Sequence, residues 1–101
     1  MKKFSTEKTK YTTSYTSTMK KDLKRAEKRG YNMQEFADIV CKLANDEPLD
    51  EHFHDHALEG KWVGHRELHI RPDWLLIYKK KDNLLILELS RTGTHSDLFK
   101  K

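Results

Sequence analysis

The sequence contains a single cysteine, Cys41. An intramolecular disulfide is therefore excluded, as is any zinc knuckle built on cysteines, and a reducing compartment is indicated. No charged-then-apolar leader opens the chain, and no apolar run approaches the ~20 residues needed to cross a bilayer. A soluble, cytoplasmic protein without membrane attachment is expected. Internal repeats and low-complexity tracts are also missing, and 101 residues give room for one hydrophobic core rather than two. With 36% hydrophobic and 36% charged residues, that core must be compact and the surface largely ionised.

The formal charge of +4 hides a segregation. Lys and Arg outnumber Asp and Glu ten to three over residues 1–31, are outnumbered eight to one over 32–60, and lead nine to five over 61–101. Two basic segments that converge in space offer phosphate contacts, and the acidic stretch between them disfavours phosphate.

Residues 1–10 are polar and without period, and read as a flexible extension preceding one domain over 11–101. Tyr11 to Tyr15 is rich in β-favouring types and fits a short strand. Thr16 can cap a helix over 17–29, in which Met19, Leu23 and Ala26 form one apolar stripe. Lys20, Lys21, Lys24 and Arg25 cover the remainder, and Gly30 is the expected stop. Asn32 with Glu35 makes a capping-box-like start to a second helix over 33–45, its buried face formed by Phe36, Ile39, Val40 and Leu43. Residues 47–60 have no period and read as a long loop, hence a functional suspect.

From Lys61 the pattern becomes strands: Trp62 to Ile70, Trp74 to Lys80 and Leu84 to Arg91. Turns at 71–73 and 81–83 join them into an antiparallel meander. The near-continuous apolar run Leu84 to Leu89 reads as a central strand covered on both faces, and Ser96 to Phe99 as one closing helical turn. The fold class is α+β, ordered β-α-α-β-β-β.

Six histidines lie within 44 residues. His52, His54 and His56 alternate in the loop, a spacing that can chelate zinc or nickel, but a loop offers no fixed geometry and no cysteine backs it. No metal and no other cofactor is expected. His65, within a strand, reads as a surface or packing residue. His69, Asp73 and His95 stand apart, because a three-stranded meander brings the end of its first strand and the end of its third to the same edge of the sheet.

The run from His56 to Tyr78, containing His-x-x-Pro-Asp-Trp at 69–74, and the segment Arg91-Thr92-Gly93-Thr94-His95-Ser96-Asp97-Leu98-Phe99 resemble the YafQ family of type II toxins, within the RelE/ParE superfamily. The likeness covers about residues 11–99, including Met19 to Ala26 and Arg29-Gly30-Tyr31. It implies a RelE-like fold and an endoribonuclease that cleaves messenger RNA in the ribosomal A site. The implied partners are the 70S ribosome, the message and a DinJ/RelB-like antitoxin, with operator DNA touched only through the toxin–antitoxin complex. The family's functional positions fall on His56, His69, Asp73, Trp74, His95 and Phe99, with Arg91 opening the last motif. His52 and His54 match nothing in that pattern.

RNA carries its own nucleophile, the 2′-hydroxyl, so metal-free acid–base chemistry suffices. His95 is expected to be the acid, Asp73 or His69 the base, with His56 in support. Arg91 or a nearby lysine is expected to balance the phosphorane charge, while Trp74 and Phe99 either stack on bases or pack in the core. Lys20, Lys21, Lys24 and Arg25 are expected to contact ribosomal RNA. The rival readings are a ParE-like gyrase inhibitor and a non-catalytic RNA-binding module.

Overall fold

The computed structural model, which describes residues 9–99, has both long helices and the meander strands near the positions that sequence periodicity gives them, and adds a two-residue strand that periodicity does not. The order is β1 (Thr12–Tyr15), α1 (Ser17–Lys28), α2 (Met33–Ala44), β2 (His56–Ala57), β3 (Arg66–Arg71), β4 (Trp74–Lys81), β5 (Ile86–Gly93) and α3 (His95–Leu98). The expected extension over 1–10 lies almost wholly outside the described residues. Within them, Lys10 Nζ pairs with Asp46 at 2.9 Å.

The helices start where their caps stand. Thr16 Oγ1 accepts from Met19 N at 2.9 Å, and Asn32 Oδ1 accepts from Gln34 N and Glu35 N, satisfying amides that have no partner within the helix. Met19 and Ala26 on α1, and Phe36, Ile39, Val40 and Leu43 on α2, are buried against Leu68, Ile70, Trp74, Leu76, Tyr78, Leu87 and Leu89 of the sheet.

The sheet has five strands in the order β1-β5-β4-β3-β2. The β3-β4-β5 meander is antiparallel as expected, and β1 adds in parallel along β5. Two expectations are corrected. β5 is an interior strand, between β1 and β4, but it begins at Ile86 because Leu84 and Leu85 are exposed in the turn before it, and the strand buried on both faces is β4, from Trp74 to Tyr78. The first meander strand begins at Arg66, not Trp62, because Gly60–Trp62 forms a 3₁₀ turn with Gly60 and Gly64 both at positive φ.

The 47–60 loop is more structured than its aperiodic sequence suggests. It contains a 3₁₀ turn, Glu51–Phe53, followed by the two-residue β2, which pairs His56 with Glu67. Asp55 pins it, accepting from Tyr78 Oη at 2.7 Å and from Arg66 Nε at 3.3 Å.

Candidate active site

Strand pairing assembles the site on the sheet face opposite α1 and α2. Residues directly opposite on paired strands share a face, so the register His56↔Glu67↔Ile77↔Arg91 forms one row and His69↔Leu75↔Gly93 the next. A bulge in β5 between Leu89 and Arg91 keeps Arg91 in that row. Beneath lies a small second core of Leu75, Ile77 and Leu98.

His69, Asp73 and His95 do converge. The rings of His69 and His95 are 6.0 Å apart. Asp73 Oδ1 accepts from the His95 backbone N–H and stands 3.1 Å from its Nδ1. Those two hydrogen bonds hold the Asp73 carboxyl below the usual carboxylate range, so it stays ionised. Because Nδ1 donates to Asp73, Nε2 is the ring atom His95 presents outward. His69 is fixed at its other nitrogen, Nδ1 donating to the Pro72 carbonyl at 3.3 Å. His56 donates from Nδ1 to the His54 carbonyl at 2.7 Å.

Sequence motifs miss two neighbours of this set. Glu67 is buried between two histidines, its Oε1 3.4 Å from His56 Nε2 and 3.9 Å from His69 Nε2. Its position two residues before His69 on one strand places both on one face, the signal that could have found it. His54, at φ +50°, brings its ring to 5.5 Å from that of His69. Nothing in the sequence pattern marks a left-handed histidine. His52 and His65 lie elsewhere: His52 pairs with Asp50, and the His65 ring meets Trp62 edge-on.

The Arg-Thr-Gly-x-His segment has a physical reason at every position. Arg91 makes a two-point pair with Asp22, Nε to Oδ2 at 2.9 Å and Nη2 to Oδ1 at 3.1 Å. Thr92 Oγ1 donates to the Leu75 carbonyl at 2.6 Å and accepts from Trp74 Nε1. Gly93, at φ +154°, lies where a Cβ would come within 2.7 Å of Asp97 Oδ2. Thr94 and Asp97 close a capping box around α3, presenting His95 at its first position. Asp97 is gripped by Arg29 at 2.7 Å and faces Arg25 at 3.7 Å, and the Arg29 hydrogen bond keeps its carboxyl far below the usual range.

Of its two readings, Trp74 takes core packing. Its ring is 3% exposed, packed in the main core against Tyr31 at 4.8 Å, so it has no face to give a base and acts by packing. Phe99 is 39% exposed and 6.3 Å from the His95 ring, a position open to stacking. Lys20, Lys21 and Lys24 are exposed on α1, whereas Arg25 is held by Asp22 at 3.0 Å. If the three lysines contact ribosomal RNA as expected, replacing them by glutamine should leave melting unchanged and reduce the log–log salt slope of that binding by about 0.7–0.9 per lost phosphate contact. An unchanged slope would assign them to a solvated face. Among the described residues no group of three or more His, Cys, Asp or Glu side chains is arranged to hold a metal ion.

Comparison with known proteins finds relatives for the chain in both sequence and fold. Residues 11–100 match the family described as bacterial toxin of type II toxin-antitoxin system, YafQ. The chain is 44% identical over 86 residues to the mRNA interferase toxin YafQ of Escherichia coli K12, covering 84% of this chain and 91% of that protein. It is similar to the crystal structure of the E. coli DinJ-YafQ toxin-antitoxin complex, with TM-score 0.81 and 40% identity, covering 89% of this chain and 98% of that one. A metal-bound toxin from Helicobacter pylori is also similar, with TM-score 0.84 and 37% identity over 88% of this chain and 99% of that one.

Proposed function

Because the chain belongs to the YafQ family of type II toxin–antitoxin toxins, we propose that it is a ribosome-dependent endoribonuclease that cuts messenger RNA in the A site. It is restrained by a DinJ/RelB-like antitoxin. The observation that carries this reading is the His95–Asp73 pair facing His69 across 6.0 Å.

The 2′-hydroxyl attacks the adjacent phosphate, its proton passing to His69 Nε2. The 5′-oxygen leaves with a proton from His95 Nε2, and a 2′,3′-cyclic phosphate remains. Of the two candidate bases, His69 fits better, because Asp73 is already committed to orienting His95. Glu67 stands beside the developing charge on His69, and His56, on the same carboxylate, supports the substrate. Arg91 has given Nε and Nη2 to Asp22, so it meets the phosphorane through its remaining Nη1 edge. Phe99 stacks on a base beside His95. Every proton transfer has a side chain to perform it, so the chemistry is independent of metal.

Translating ribosomes incubated with the protein in EDTA, followed by mapping of message ends, test the reading. Cuts confined to A-site codons are expected. Intact message would overturn the proposal, and intact message with gyrase-dependent DNA breaks would favour the ParE-like alternative. The partner half is tested by titrating the antitoxin, which should abolish cutting at equimolar ratio.

A further inference from the structure

A cleft of about 380 Å³ opens beside the catalytic set, between the α1–α2 turn and the β3–β4 turn, lined by Gly30, Tyr31, Asn32, Arg71, Asp73 and Trp74. The proposed function uses only its Asp73 wall. That wall sets the location, because the carboxylate lining the cleft is the one hydrogen-bonded to His95. A ligand in the cleft therefore lies within one nucleotide of the bond being cut.

The chemistry of the lining narrows the ligand. Tyr31 is partly exposed at the cleft wall, its ring 4.8 Å from the buried Trp74 ring and tilted 57° to it, with the Arg29 guanidinium 6.0 Å from its centroid. Arg71 gives Nε and Nη2 to Glu35, at 2.7 and 2.5 Å, so its charge is offset while Nη1 remains to donate. Asn32 commits its Oδ1 to the cap of α2, so what it offers a ligand is its NH₂. With Arg71 offset and Asp73 ionised, the cleft repels rather than attracts a phosphate. An aromatic wall with in-plane donors and an acceptor, in a volume that takes one base and part of its sugar, suits a nucleobase.

We propose that this cleft is a base pocket for the message nucleotide next to the scissile phosphate, with Tyr31 as its stacking wall and Arg71 and Asn32 as its reading groups. The pocket rests on the ribonuclease reading and deepens it, since it supplies base preference to a site whose acid–base groups touch only ribose and phosphate. Tyr31 and Arg71 are specificity residues, outside the proton-transfer set.

The test maps cleavage ends across a message pool for the wild type, Tyr31→Leu, Tyr31→Phe and Arg71→Gln, with kcat and KM for one cut site and a melting curve for each. Tyr31→Leu should raise KM about 5- to 100-fold at nearly constant kcat. It should also flatten base preference at one position fixed relative to the cut. Tyr31→Phe should retain both, and Arg71→Gln should alter that same position without lowering the melting temperature. Should Tyr31→Leu unfold, the Arg71→Gln profile decides alone. Unchanged preference in Arg71→Gln, or in a folded Tyr31→Leu, overturns the pocket while leaving the ribonuclease reading in place. A Tyr31→Leu protein that loses antitoxin binding but cuts with the wild-type profile also overturns it, assigning the cleft to the antitoxin. A wild type that cuts nothing overturns both.

Discussion

His95→Ala is expected to slow single-turnover cleavage of message by about 10²–10⁴-fold, the range of a lost general acid, with little change in melting temperature. The imidazole is exposed at the first position of α3, outside both apolar clusters. In the proposed mechanism its contribution is chemical: Asp73 holds Nδ1 at 3.1 Å, which leaves Nε2 to serve the leaving oxygen. Replacing the 5′-oxygen by sulfur provides a leaving group that departs without a proton, so on that substrate His95→Ala should recover most of its lost rate. A defect of the same size on both substrates would remove His95 from the acid role. Asp73→Asn sharpens the assignment. If Asp73 works through His95, its defect shrinks on the sulfur substrate too. If it were the base, its defect would persist there, while His69→Ala should show a persistent defect in either case.

The convergence of His69, Asp73 and His95 is legible in the sequence, because a meander obeys a simple topological rule and the turn at Pro72 fixes where β3 ends. Helix caps at Thr16 and Asn32 are equally legible, each being a short-range hydrogen bond that one residue type makes. What escapes the sequence depends on long-range pairing. The two-residue β2 is too short to carry a period, and it exists only because Glu67 and Arg66 offer an edge for His56 and Ala57 to join. Leu84 and Leu85 read as strand by hydropathy, yet Leu85 sits at φ +52° in the turn, and the strand starts only at Ile86. Trp74 looks like a stacking residue in its motif, but the helical hairpin covers its ring and Thr92 takes its N–H. Family resemblance singles out His56, His69, Asp73 and His95 as candidates to act on RNA; it is silent on the residues that hold them, such as Glu67 and Asp22.

Asp22→Ala should cause the largest loss of stability, although Asp22 touches no substrate in the proposed mechanism. A carboxylate on the apolar stripe of α1, three residues after Met19 and four before Ala26, is costly to bury unless every oxygen is satisfied. Here it is 2% exposed and accepts from Arg91 twice, from Arg25 at 3.0 Å and from the Thr92 amide at 3.1 Å. Truncation strands the Thr92 N–H, takes the two-point partner from Arg91 and leaves Arg25 with only Asp97, 3.7 Å away. Removing one partner of a buried pair costs roughly 3–5 kcal/mol, and less where water reaches the other. With the Arg91 and Arg25 side chains 23% and 38% exposed, about 2–3 kcal/mol is expected, or about 10–20 °C in melting temperature for a domain of this size. Asp22→Asn keeps an acceptor oxygen and should lose less. Cleavage should fall in Asp22→Ala beyond what unfolding explains, because Arg91, the Gly93 approach and α3 with His95 all hang from this anchor. A coupling above about 1 kcal/mol in the double-mutant cycle with Arg91→Ala would establish the link. A melting temperature within about 2 °C of wild type would show that the helical layer and the catalytic face are joined by packing alone.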